Sequence, residues 1–124
     1  MKEIPHISEA EWKVMKVIWT ESPISASEII DRLGVQSTWK PKTIKTLLSR
    51  LVKKEALDFK MDGRRYLYYP LITEKDCRKA ENQSFLQKVY GGAFNVMFAN
   101  FLEEQQLSKK DLEELKQILN RKEE

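Results

Sequence analysis

The sequence predicts a mainly α chain with a small β-hairpin wing: a winged helix-turn-helix domain over residues 1–72, then three further helices over residues 73–124. Three observations carry this reading. Capping signals precede apolar stripes of helical period at Ser8, Ser25, Thr73 and Ser108. One segment of strand character, residues 57–71, interrupts the helices and is split by Asp62-Gly63, a strong signal for a tight hairpin turn. Between Asp31 and Glu55 there is no acidic residue, whereas Arg32, Lys40, Lys42, Lys45, Arg50, Lys53 and Lys54 all fall there.

The first helix opens with Ser8 and Glu11 at capping-box spacing and puts Trp12, Met15, Ile18 and Trp19 on one face. Ser25 and Glu28 repeat the signal, Ile29, Ile30 and Leu33 supply an apolar face, and Gly34 is a natural stop, which makes a short second helix. A polar connection through Gln36, Ser37 and Thr38 leads to Pro41, suited to a first helical turn because its missing N–H is unneeded there, and a third helix follows over 41–54. Two strands, 57–61 and 66–71, form the hairpin. Thr73 caps a fourth helix ending near Tyr90, Gly91-Gly92 breaks it, a fifth runs over about 93–105, and Ser108 caps a sixth reaching about Arg121. The boundary between the two parts falls at residues 70–73.

Composition narrows the function. With 41% hydrophobic and 33% charged residues, the 124-residue chain reads as an ordinary soluble protein. No apolar run approaches the roughly 20 residues of a membrane span, and residues 1–8 lack the apolar core of a signal peptide, so a cytoplasmic location is expected. One cysteine, Cys77, and one histidine, His6, exclude an internal disulfide and a thiolate or imidazole metal cluster, and no cofactor is expected. They also leave no nucleophile and base pair for an enzyme, and no phosphate-binding glycine loop is present. Cys77 reads as a small, partly buried residue. The net charge of +3 is unevenly placed, with 13 basic against 9 acidic residues up to Ile72 and 9 against 10 thereafter.

The third helix would bury Ile44, Leu47, Leu48 and Leu51 and present Lys42, Thr43, Lys45, Thr46, Ser49, Arg50 and Lys53 on the other side. Lysine and arginine neutralise phosphates, and short hydroxyl side chains approach base edges without filling the major groove. A solvated amphipathic helix fits this face equally well. The hairpin tip adds Arg64 and Arg65, two guanidinium groups on a projecting ribbon where burial is not expected, placed for phosphate or minor groove. Tyr66, Tyr68 and Tyr69 are expected to pack against the domain. A winged helix that binds another protein is the rival reading from a different class.

In the carboxyl part, Phe85, Leu86, Val89, Tyr90, Phe94, Met97, Phe98, Phe101 and Leu102 lie on the fourth and fifth helices, and Leu112, Leu115, Ile118 and Leu119 form a stripe on the sixth. About fifty residues bury this much apolar surface poorly alone, so a dimerisation domain over 73–124 is expected, with a three-helix cap on the same chain as the alternative.

The segments SEAEWKVMKVIW (8–19), WKPKTIKTLLSRL (39–51) and VYGGAFN (89–95), continuing through Asn100-Phe101, resemble the penicillinase repressor (BlaI/MecI) family over nearly the whole chain. That resemblance implies a homodimer on a double-stranded palindromic operator of a β-lactamase or resistant penicillin-binding-protein operon. It also implies a transmembrane metalloprotease receptor that senses the antibiotic and leads to cleavage of the Asn100–Phe101 bond. The copper-responsive branch of the superfamily ends in a cysteine-rich tail, which residues 114–124 do not match.

Overall fold

Four of the six described helices start at side-chain hydrogen bonds that the sequence encodes within four residues. The computed structural model describes residues 3–35 and 37–123, so Gln36 of the expected polar connection lies outside the described residues. Helix α1 (Glu9–Thr20) begins where the Glu11 amide donates to Ser8 Oγ (3.1 Å) and the Ser8 amide donates to Glu11 Oε1 (2.9 Å). Strand β1 (Ile24–Ser25) leads directly into α2 (Ala26–Gly34), which Ser25 and Glu28 cap in the same reciprocal way. Helix α3 (Pro41–Lys53) has Pro41 in its first turn and no side-chain cap. Strands β2 (Leu57–Asp62) and β3 (Arg65–Pro70) follow, then α4 (Glu74–Tyr90), α5 (Phe94–Glu104) and α6 (Lys109–Glu123). Thr73 Oγ1 accepts from the Asp76 amide, and Ser108 and Asp111 form a third reciprocal cap.

The sheet is antiparallel with strand order β1-β3-β2. Asp62 pairs with Arg65, so the two-residue loop is Gly63-Arg64, one position beyond the expected Asp62-Gly63. Gly63 has φ of 64° and Arg64 is not left-handed, the II′ pattern that requires glycine first.

One end of α3 is closed by a motif that usually uses glycine. The Ala56 amide donates to Leu51 O (2.9 Å) and the Glu55 amide to Val52 O (3.0 Å), while Glu55 itself takes φ of 65°. Ala56 and Leu51 are both buried beneath the turn. The next fastening is ionic. Lys54 Nζ donates to Glu11 Oε1 (2.5 Å) and to His6 O (2.9 Å), tying the carboxyl end of α3 to α1 and to the chain before it. Glu11 is 2% exposed. Burial pushes its carboxyl up, but the hydrogen bonds from Lys54 and Ser8 outweigh that and hold it below the usual carboxylate range.

The described residues divide by contact into two compact units, Met1–Asn82 and Gln83–Glu124. The division lies inside α4, ten residues beyond the 72/73 boundary expected from the sequence. The reason is visible at the start of α4: Trp19 Nε1 donates to Ile72 O (2.9 Å), Lys16 pairs with Glu74, and Ile72 and Cys77 join the core. Cys77 is thus fully buried rather than partly so, and burial pushes its thiol up to about 11. The first unit's core gathers Val14, Met15, Ile18, Ile29, Leu33, Ile44, Leu48 and Leu51, with Trp12 packed at its edge. In the second unit, no described residue is fully buried. Among the described residues, no helix is long and apolar enough to cross a membrane.

Two expectations about stability follow from these fastenings. Glu55→Gly should stabilise the first unit by about 0.5–1 kcal/mol in urea unfolding, because glycine takes the left-handed conformation without a Cβ clash. Glu11→Gln should cost about 1–3 kcal/mol at neutral pH by breaking a buried charge-assisted bond. The lowered carboxyl of Glu11 contributes stability above its ordinary value of 4.5 that is lost as pH falls through the folded value. Unfolding curves of Glu11→Gln should therefore depend less on pH below 4.5 than those of the parent; an unchanged acid limb would contradict this role for Glu11.

Candidate nucleic-acid interface

Burial of one stripe of α3 decides what its other side presents. Ile44, Leu48 and Leu51 are fully buried and Leu47 nearly so, leaving Lys42, Thr43, Lys45, Thr46, Ser49, Arg50 and Lys53 all exposed. The amino end of α3 carries no side-chain cap and no acidic residue, so its partial positive charge stands beside Lys40, Lys42 and Lys45. Thr46 Oγ1 donates to Lys42 O (3.0 Å), which leaves its oxygen free to accept and its methyl free to touch an apolar base edge.

The acid-free basic run does not act as one unit. Arg32 is bound by Glu21 through Nε (2.8 Å) and Nη2 (3.2 Å), and Lys54 is held by Glu11. Lys40, Lys42, Lys45, Arg50 and Lys53 form no ion pair among the described residues. Lys13 Nζ lies 5.3 Å from the Trp39 ring just before α3, a cation on an aromatic face that steadies the approach to the helix.

The two wing arginines differ. Arg64 sits in the loop and is exposed, with no ion pair among the described residues. Arg65 lies on β3, where Nη2 and Nε donate to Asp62 Oδ2 (3.2 and 3.3 Å) and Nη1 stands 3.8 Å from Glu28 Oε1. Glu28 is held below the usual carboxylate range by the Ser25 hydroxyl and amide first, then by Arg65 and Arg32, so it is charged at neutral pH. Tyr68 and Tyr69 are partly buried as expected, but Tyr66 is 47% exposed, because it pairs with Phe59 (ring centroids 4.3 Å apart) near the tip rather than with the core.

Between α2, α3 and the wing lies an open groove lined in part by Ser27, Glu28, Lys45, Arg65 and Tyr66, with a volume of about 560 Å³. Sequence reasoning missed this element: the Ser25–Glu28 capping box marks a helix start and says nothing of what stands opposite. No group of His, Cys, Asp and Glu able to hold a metal occurs among the described residues. The arrangement offers an exposed basic and hydroxyl face on a rigid helix, flanked by a ribbon with one unpaired guanidinium. That is the equipment for a phosphate backbone with bases accessible between the strands.

The penicillinase repressor family matches residues 7–121. The penicillinase repressor of Bacillus licheniformis is 50% identical over 100% of both chains. The methicillin resistance regulatory protein MecI of Staphylococcus aureus (strain N315) is 45% identical over 94% of each chain. Among solved structures, the monomeric form of Bacillus licheniformis BlaI in complex with the blaP half-operator is 54% identical with a TM-score of 0.54, covering 61% of this chain and 93% of that one.

Substitutions should separate reading from gripping. Lys45→Ala or Thr46→Ala is expected to reduce discrimination between operator and random duplex by roughly 1–3 kcal/mol for a lost base contact. Arg64→Ala should weaken binding to all sequences alike and flatten the salt dependence. Wing variants that alter base preference, with α3 variants leaving it untouched in titrations at fixed salt, would reverse the assignment.

Proposed function

Because the chain belongs to the penicillinase repressor family, we propose that it silences β-lactam resistance genes by occupying a palindromic operator as a homodimer. It is a DNA-binding transcriptional repressor and not an enzyme. The observation that carries the reading is the exposed face of α3, with Lys42, Thr43, Lys45, Thr46, Ser49, Arg50 and Lys53 free of the core. A relative 54% identical to the chain is described as a monomeric form on a half-operator, which favours a full operator with two halves and two copies of the protein.

The division of labour we propose is a DNA-binding winged helix followed by a helical dimerisation domain. Support for the second part is its exposed apolar surface. Phe94 and Ile118 are each 53% exposed, Val89, Leu112 and Leu119 are comparably open, and α5 and α6 contain no buried residue. Phe85 stacks on Phe101 (ring centroids 6.3 Å apart) and Phe94 on Phe98 one turn along α5 (5.9 Å), while Leu86, Met97, Leu107 and Leu115 are partly buried. A second copy would cover this surface, and a twofold operator asks for a twofold protein.

Inactivation is proposed at the Asn100–Phe101 bond, with a transmembrane β-lactam-sensing metalloprotease system as the partner that the family resemblance implies. The bond lies within α5, where Phe101 is 43% exposed and no neighbouring residue of the helix is buried. A protease needs an extended substrate, and a helix with so little buried surface unwinds locally at small cost. Cutting there removes the end of α5 and all of α6, with the apolar side chains that a partner would cover.

The test uses residues 1–100 beside the full chain, with folding checked by circular dichroism. The full chain should sediment at twice 14.7 kDa and bind a full palindrome. The fragment should bind half-sites weakly, having lost an affinity gain from tethering of roughly 10²- to 10⁴-fold. Equal affinity for the palindrome would remove α5 and α6 from the control of repression.

A further inference from the structure

Two carboxylates stand where a repellent charge is least expected in a surface meant for DNA. Asp62 Oδ2 accepts from both Nε and Nη2 of Arg65, and Glu28 Oε1 approaches Nη1 of the same side chain from α2. Between them they engage all three nitrogens of the guanidinium. Arg65 also lines the groove it shares with Lys45 and Glu28, so a phosphate entering between α3 and the wing would meet a cation already neutralised. Lys45 in the same groove has no ion pair among the described residues, and neither has Arg64 one position earlier.

We propose that Asp62 and Glu28 act as an electrostatic brake on the wing, competing with the phosphate backbone for Arg65 and so setting how tightly the protein grips DNA of any sequence. The inference rests on the DNA-binding reading above. The pairs are solvent-exposed, with Arg65 and both acids about half open, so they exchange easily and are weak enough for a phosphate to displace. Glu28 serves two purposes: the same carboxylate caps α2 through the Ser25 amide and hydroxyl, which holds it facing the wing. Asp62 is fixed by the hairpin, directly across the strand pair from Arg65. An arginine relieved of both partners would make one more full phosphate contact, and each such contact steepens the dependence of log affinity on log salt by about 0.9.

The experiment measures binding of the full chain to a fluorescein-labelled duplex of random sequence by anisotropy across a salt series. The parent is compared with Asp62→Asn, Glu28→Gln, the double variant, and each of these in an Arg65→Ala background. Glutamine at 28 keeps an acceptor for the α2 cap, and Asp62→Asn alone, on the exposed wing, tests the closer pair without touching α2. The double variant should bind about two- to fivefold tighter, the span of exposed ion pairs, and the single variants less so. Its salt slope should steepen by up to about 0.9. In the Arg65→Ala background these gains should vanish. Equal gains without Arg65 would mean that removing negative charge helps generally, and the brake would be discarded; so would unchanged affinity in the double variant. A parent chain that does not bind the duplex even at low salt would instead overturn the DNA-binding reading itself.

Discussion

The contact between the inward stripe of α3 and the core of the first unit is the constraint on which everything else depends. Ile44, Leu47, Leu48 and Leu51 cannot be buried without turning the intervening lysines, threonines and arginine outward, since a helix has only one period. The same packing fixes the rotation of the helix, the tight turn at Glu55 fixes where it stops, and the Lys54–Glu11 pair fixes its far end. A recognition surface of short side chains needs this rigidity, because a threonine reaches a base edge only if its backbone is already in place.

The two units are built on opposite economies. In the first, buried aliphatic side chains, reciprocal caps and a three-stranded sheet satisfy one another locally. In the second, α5 and α6 bury no side chain fully, and phenylalanines and leucines stand half-exposed beside a few ring contacts. If a second copy covers that surface, as proposed, the stability of that part follows protein concentration. The proposed cut at Asn100–Phe101 would fall in a helix with no buried residue of its own.

Most helices were legible in the sequence because their signals are local. Ser8 with Glu11, Ser25 with Glu28, Thr73 and Ser108 each declare a start within four residues, and the stripe of α3 declares its buried side. What was not legible depends on partners distant in sequence. A two-residue strand such as β1 has no period to detect and exists only through its pairing with Tyr68 and Leu67. The displaced hairpin loop follows from strand register, and the pairing of Arg65 with Glu28 joins residues on different elements. Nor could composition divide the basic run into lysines free for a ligand and the two cations, Arg32 and Lys54, held by acids. The unit boundary moved for the same reason: the Trp19 bond to Ile72 O is invisible until both ends are folded.

All three tryptophans, the edge-to-face pair Trp12 and Trp19 and Trp39 beneath Lys13, belong to the first unit, and the second has none. The molecule is consequently bicoloured to ultraviolet light. Indole emission originates in the first unit alone, with Trp39 just before α3, while the helicity of α5 and α6 is read in far-ultraviolet ellipticity. Non-coincidence of the two signals along a denaturation curve would be the optical image of two units that share α4 and do not unfold as one.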